Sequence, residues 1–233
     1  MTLGMTLLLH IVLLSLWICF RSAQSVAEDL NAPSEALANL VYLLNGQFTN
    51  LATLAKDEYG RLVRPDYLVE WDIQSVALNF FDPVTTIYLE ENIGKKPLYR
   101  QIITIRDIGN GLFLLHPYNI KDEFFSHGEA QPQREFSSLK MEDLSELTEC
   151  DTFVQQIDTA LYMGFWPTCN PGQHDFDVSL TLSCHMAAYI GYPRNTTKSE
   201  REVVPMRKIT TPYPPPYTVM GSDLYTNPCE GGS

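Results

Sequence analysis

The stretch Gln101-Ile-Ile-Thr-Ile-Arg-Asp-Ile-Gly-Asn-Gly-Leu-Phe-Leu-Leu-His116 decides the fold. Two runs rich in β-branched and large apolar residues, Gln101–Ile108 and Leu112–His116, flank Gly109-Asn110-Gly111. Asn-Gly accepts the positive φ that a tight hairpin demands, so the stretch predicts two antiparallel strands. Working outward, Thr85 to Glu91 and Tyr99 to Ile108 are rich in Ile, Thr and Tyr and predict further strand. Downstream, Thr152–Ile157 and Leu161–Trp166 flank Asp158-Thr159-Ala160 as a second hairpin. From Phe176 to Met186 the chain alternates: Phe176, Val178, Leu180, Leu182, Cys184 and Met186 share one face. Asp175, Asp177, Ser179, Thr181, Ser183 and His185 share the other. Such alternation suits a sheet with one dry face, or a barrel wall.

Two segments carry the helical period instead. Leu37, Leu40, Val41, Leu44 and Phe48 predict an amphipathic helix over Ser34 to Leu54, capped by Asn31 or Ser34. Met141, Leu144 and Leu147 predict a short helix over Ser138 to Leu147. From Pro205 onward Pro212, Pro214, Pro215 and Pro216 favour extended geometry and predict a proline-rich tail over 205–233. The expected class is mainly β: one antiparallel barrel domain over 28–204, one N-terminal amphipathic helix and one short helix between strands.

The first 27 residues read as a signal peptide. Leu7 to Phe20 is apolar and uncharged, and small residues follow at Ser22, Ala23, Ser25 and Ala27. Either Ala23-Gln24-Ser25 or Ser25-Val26-Ala27 completes a cleavage triplet. An uncleaved anchor is the competing reading, disfavoured because the flank carries only Arg21. Leader removal leaves about 206 residues, enough for one domain with a real core. The net charge of −12 argues against nucleic acid and against an anionic membrane as partner, because both need clustered Lys and Arg. Four of the five cysteines, Cys150, Cys169, Cys184 and Cys229, stay after cleavage, and an even number in a secreted chain predicts two disulfides. Cys150 precedes one strand of the second hairpin and Cys169 follows the other. That favours Cys150–Cys169, with Cys184–Cys229 tying down the tail. Asn195-Thr196-Thr197 is a glycosylation acceptor.

No nucleophile elbow, phosphate loop or HExxH pair is present, and His116, His127, His174 and His185 are scattered, so no metal site is expected. Adjacent strand positions put Cys184 and His185 on opposite faces. Of Glu90 and Glu91, one faces in and one out. Tyr88, Glu90, Tyr99, Arg100, Gln101 and Tyr118 lie on three predicted strands that a barrel brings together around its lumen. An interior Arg there would complement an acidic, partly apolar ligand; the bland alternative is a solvent-facing Arg100 with Glu90 across the ladder.

In this order, TTIYLEEN (Thr85 to Asn92), PLYRQIITI (Pro97 to Ile105), YNIKDEFFSHGEAQP (Tyr118 to Pro132), LKMEDLSELTECDTFVQQ (Leu139 to Gln156) and ALYMGFWPTC (Ala160 to Cys169) resemble the CpcT/CpeT family of phycobiliprotein chromophore lyases. The likeness covers about Leu40 to Cys184. It implies a lipocalin-like antiparallel barrel that binds an open-chain tetrapyrrole, a bilin, and delivers it to a cysteine thiol of an acceptor protein. Tyr88, Glu90, Tyr99, Tyr118, Cys150 and Gly164 match family positions. The resemblance implies Glu90, Tyr88 and Cys150 as catalytic candidates, and Arg100, Tyr99, Gln101 and Tyr118 as ligand contacts, with Arg100 on the propionates. The bilin would be ligand or substrate, no further cofactor is required, and homodimerisation stays open. The family's "D-R-G" and "W-G" signatures are missing, Glu149 replaces a glycine, and a secretory leader replaces a cytoplasmic or plastid location. A secreted carrier of bilin or another acidic hydrophobic ligand is therefore the alternative to a lyase. The redox state of Cys150 bears on the choice, because a disulfide closes nucleophilic roles to it.

The leader and the sequon give a first testable expectation. The secreted protein should show by intact mass a chain beginning between Val26 and Glu28, with glycan at Asn195; a chain retaining Met1 would overturn the leader.

Overall fold

The computed structural model describes residues 34–94, 96–125, 136–166, 176–193, 202–210 and 227–230. The leader, Cys169, Asn195 and Pro212 to Pro216 lie outside the described residues. Helix α1 (Glu35–Leu44) starts at Ser34, whose Oγ accepts from Leu37 N at 3.1 Å. It ends ten residues earlier than the sequence predicts. Gly46 has a φ of 134°, outside the right-handed region that a helix needs. The chain turns there into β1 (Gly46–Thr49), so Phe48 belongs to a strand rather than to the helix.

The remaining strands are β2 (Val69–Val76), β3 (Thr85–Ile93), β4 (Lys96–Gly109), β5 (Leu112–Ile120), β6 (Leu144–Glu146), β7 (Thr152–Asp158), β8 (Leu161–Trp166), β9 (Phe176–Ser183), β10 (Met186–Pro193) and β11 (Glu202–Lys208). Every pairing is antiparallel. The order is β4-β3-β2-β1-β11-β10-β9-β8-β7-β5, and β5 returns to β4, which closes the ring; β6 pairs with β5 alone. Among the described residues this is a closed ten-stranded antiparallel barrel. Both expected hairpins are present. Asn110 turns β4 into β5 at a φ of 57°.

Three expectations change. The alternating run does not continue to Met186: Cys184 and His185 form the bend between β9 and β10, so the two residues are not neighbours on one strand. The short helix expected over Ser138 to Leu147 is a 3-10 turn at Met141–Asp143 followed by β6. The tail expected from Pro205 begins inside β11. Pro205 pairs with Ala188 of β10, while β1 reaches only Lys208 and Arg207. At Pro205 the strand thus has a described partner on one side only, where a missing N–H is tolerated.

The helix is buried almost all round, at Leu37, Ala38, Asn39, Leu40, Val41, Leu43 and Leu44. It packs with Phe48, Ile73, Ile87, Ile105, Phe113, Val154, Tyr162, Leu182, Ala187 and Met206 in one cluster. Side chains from every strand of the ring can meet only inside it, so α1 closes one end of the barrel. Tyr162 Oη donates to Ala36 O at 2.8 Å, and Lys208 Nζ donates to Tyr42 O and Leu43 O at 3.1 Å each. The lysine thereby satisfies two carbonyls that the last turn leaves open. Beside it, Cys184–Cys229 joins the β9–β10 bend to the later chain, as expected, with Cα atoms 5.6 Å apart. Asn227 Nδ2 also donates to Tyr42 Oη at 2.7 Å.

Gly46 is the hinge between plug and wall. A Cβ there would stand 2.7 Å from Lys208 Cε, which a flexible lysine tip can yield; the φ cannot change so cheaply. Gly46→Ala should destabilise by roughly 1–3 kcal/mol, chiefly through backbone strain, read as a lower urea midpoint with the slope unchanged.

Candidate functional site

Paired residues in a ladder share a face, so register decides what lines the lumen. Ile73 of β2 pairs with Leu89 of β3, Leu89 with Gln101 of β4, and Gln101 with Asn119 of β5. Ile73 and Leu89 belong to the cluster that fills the barrel. Gln101 and Asn119 are therefore inward, and so are Trp71, Glu91 and Tyr99, each two residues along and mutually paired. These positions lie toward the mouth opposite α1. They are half-buried, whereas Phe113, Tyr162 and Met206 near the helix are fully buried. The lumen is thus dry and apolar at the plugged end and polar toward the mouth.

Burial pushes the Glu91 carboxyl up to about 7; the hydrogen bond from Trp71 only partly opposes this. Tyr99, paired with it, has its phenol raised by burial and by the charge on Glu91. Gln101 Nε2 donates to Asn119 Oδ1 at 2.9 Å. Deeper inside, Ser75 pairs with Ile87 and Thr152 with Leu115, which places both on the inner wall. Ser75 Oγ, Thr152 Oγ1 and Asn39 Oδ1 of α1 are buried and have no hydrogen-bond partner among the described residues. Buried polar groups are normally satisfied. Such a wall offers hydrogen bonds to a guest of mixed polarity.

The opposite parity carries most of the expected site. Tyr88, Glu90, Arg100 and Tyr118 face outward, not into the lumen. Glu90 pairs with Arg100, and Tyr88 pairs with Ile102, which pairs with Tyr118. Arg100 Nε lies 3.3 Å from Glu90 Oε2, and Tyr88 Oη donates to the same oxygen at 2.6 Å. This outer face is covered in turn. Val76, Leu78, Tyr88, Ile102, Ile120, Phe136, Leu139 and Leu144 form a second cluster outside the barrel, with the Tyr88 and Phe136 rings 4.8 Å apart. His116 of β5 bonds Asp151 through Nδ1, and its Nε2 lies 3.1 Å from Glu146 of β6. It holds the approaches to β6 and β7 on the same wall. Burial and the charge of Glu146 raise the nearby Tyr118 phenol.

Of the expected residues, then, Tyr99 and Gln101 reach the lumen, while Tyr88, Glu90, Arg100 and Tyr118 form an outer group. The luminal carboxyl is Glu91, the neighbour of the one the sequence favoured. Trp71 and Asn119 were missed, although Val69-Glu-Trp-Asp-Ile-Gln-Ser-Val76 alternates cleanly and would have exposed Trp71, Ile73 and Ser75 as one face. Cys150 is buried and disulfide-bonded, its partner lying outside the described residues; it has no thiol to act as a nucleophile. Among the described residues no group of three His, Cys, Asp or Glu side chains is placed to hold a metal, and no helix is long and apolar enough to cross a membrane. No protein-family model matches the chain, and no curated protein matches it significantly.

Glu91 makes stability depend on pH. Its folded pKa lies near 7 against 4.5 for the free group, so the folded chain keeps a proton that the unfolded chain releases. The stabilisation is complete below about pH 4.5 and is lost as pH rises to about 7. Glu91→Gln should remove that slope and, at about pH 8, stabilise by on the order of 1–3 kcal/mol. Urea midpoints across this range measure it; an unchanged slope would take Glu91 out of the buried wall.

Proposed function

We propose that the barrel binds a linear tetrapyrrole of the bilin class through the mouth opposite α1. The bound bilin is then presented to a cysteine thiol of an acceptor protein, as the resemblance to CpcT/CpeT chromophore lyases implies. The observation that carries this reading is the polar half-lumen with an inward carboxyl, Glu91, titrating near neutrality. A bilin is an apolar conjugated chain with N–H donors, one basic pyrrole nitrogen and two propionates. The basic nitrogen suits Glu91, which can give it a proton and then face the resulting cation. Trp71 and Tyr99 offer aromatic surface to the rings; Gln101 and Asn119 offer donors and acceptors to the lactam ends.

Attachment on this reading is an addition. The acceptor's sulfur bonds to the exocyclic carbon of the ethylidene group, the thiol proton ends on the adjacent ring carbon, and nothing leaves. Protonation by Glu91 draws electrons toward the nitrogen and makes that carbon more electrophilic. Holding one bilin conformer in a dry barrel supplies the rest as orientation. Tyr88, Glu90 and Arg100 then act from outside the wall, fixing the strand pair that carries Glu91 and Tyr99. The second reading, carriage without attachment, is favoured by the bonded state of Cys150, which removes any shuttle through the protein's own thiol. The disulfides suit an oxidising compartment, and together with the expected leader they support a location outside the cell for both readings.

Mixing the mature protein with biliverdin or phycocyanobilin should give a sharpened, red-shifted long-wavelength band that titrates near neutral pH. Glu91→Gln should keep the binding and lose the titration. Added cysteine peptide should gain the bilin mass with the ethylidene-bearing phycocyanobilin if the protein is a lyase and should not if it is a carrier. Absence of any spectral change would end both readings.

A further inference from the structure

The inner wall offers an acid to its guest, and Arg100, the expected partner for ligand carboxylates, faces the other way. None of Trp71, Glu91, Tyr99, Gln101 and Asn119 is a cation, and the rim beside them supplies one. The loop over 51–68 joins β1 to β2 there, and its base is fixed. Asn50 N donates to Val69 O at 3.2 Å, Asn50 Nδ2 to Tyr67 O at 2.9 Å, and Val69 N to Asn50 Oδ1 at 2.9 Å. The loop also docks on the β3–β4 turn. Gly94 N donates to Leu68 O at 2.8 Å, and a Cβ on Gly94 would stand 3.2 Å from Asp66 Cα. Gly94 follows the inward Ile93 and lies three residues beyond Glu91, about 10 Å of strand. Residues 64–66 therefore sit at the mouth, within reach of a pyrrole ring and its acid arm.

Two arginines stand on this loop, and they are engaged differently. Arg61 is committed to its own turn: its Nε and backbone N each lie 2.8 Å from an oxygen of Asp57. Arg64 lies with Cζ 3.9 Å over the Tyr67 ring, its side chain 61% exposed, and its acid neighbour Asp66 is 3.7 Å away and 66% exposed. Stacking on an aromatic face restricts the guanidinium before any carboxylate arrives, so less freedom is lost on binding. The long, solvated contact to Asp66 competes weakly.

We infer that Arg64 is the residue that recognises a carboxylate of the bound ligand, making the mouth selective for acidic tetrapyrroles over their neutral esters. This rests on the luminal reading above. It divides recognition between two places: the basic core of the ligand goes to the wall and its acid arms go to the rim.

The test compares biliverdin with its dimethyl ester by absorption titration against wild type, Arg64→Ala, Arg64→Lys and the control Arg61→Ala. Wild type should favour the diacid by roughly fivefold, and less in high salt. Arg64→Ala should erase that preference by weakening the diacid alone, Arg64→Lys should keep part of it, and Arg61→Ala should keep all of it. Wild type binding both forms equally, or Arg64→Ala weakening both alike, overturns the inference and leaves luminal binding standing. Wild type binding neither form overturns luminal binding and the inference with it.

Discussion

Cross-strand parity is the constraint on which the rest of the structure depends. Once β2, β3, β4 and β5 are paired, each ladder position assigns its side chains to the lumen or to the outer layer with no intermediate choice. A slip of one residue in β3 would bring Glu90 inside and put Glu91 out. The groups that resist such a slip are polar and lie on both faces. Outside, Glu90 meets Arg100 and Tyr88, and Thr86 Oγ1 donates to Val76 O at 2.5 Å. Inside, Gln101 meets Asn119. None of these need contribute more than about 1 kcal/mol net; their effect is to exclude the neighbouring register, where each would lose its partner.

The strands themselves were legible, but which face points inward was legible only where alternation is clean and not where both faces are covered. Phe176 to Ser183 and the Gly109-Asn110-Gly111 hairpin read correctly because alternation and turn chemistry agree. In β3 and β4 the second apolar layer, with Phe136 and Leu139 over Tyr88 and Ile102, makes both parities hydrophobic. The sequence then carries no sign of which face is inside, and Glu90 looks as eligible as Glu91. The overlong helix has a different cause. Phe48 falls on the helical period by coincidence, and the backbone change at Gly46 overrides it. Pro205 misled in the opposite sense, since a proline is excluded from a strand only where both edges are paired.

The lumen has a gradient along its axis. At the helix end large side chains are wholly buried and Lys208 is absorbed by carbonyls and by the rings of Tyr42 and Phe48; burial lowers its pKa to about 8. Toward the mouth the wall is polar, with Trp71, Glu91, Tyr99, Gln101 and Asn119 on its inner face. A guest entering there would find its polar groups bound first and its apolar end directed toward the plug, an ordering that favours one insertion polarity over the reverse.

The seam between β1 and β11 is the narrowest in the ring, two paired positions, and the contacts reinforcing it join residues 163 positions apart, Gln47 to Thr210. The helix that plugs the barrel precedes β1, and the lysine that caps that helix follows from β11. Neither the ring nor its plug can therefore be completed until almost all the domain has been synthesised. Until then the apolar inner wall and the buried helix stay exposed. Closure over so long a loop is entropically slow, and the growing chain depends through that interval on whatever shields nascent polypeptides from one another.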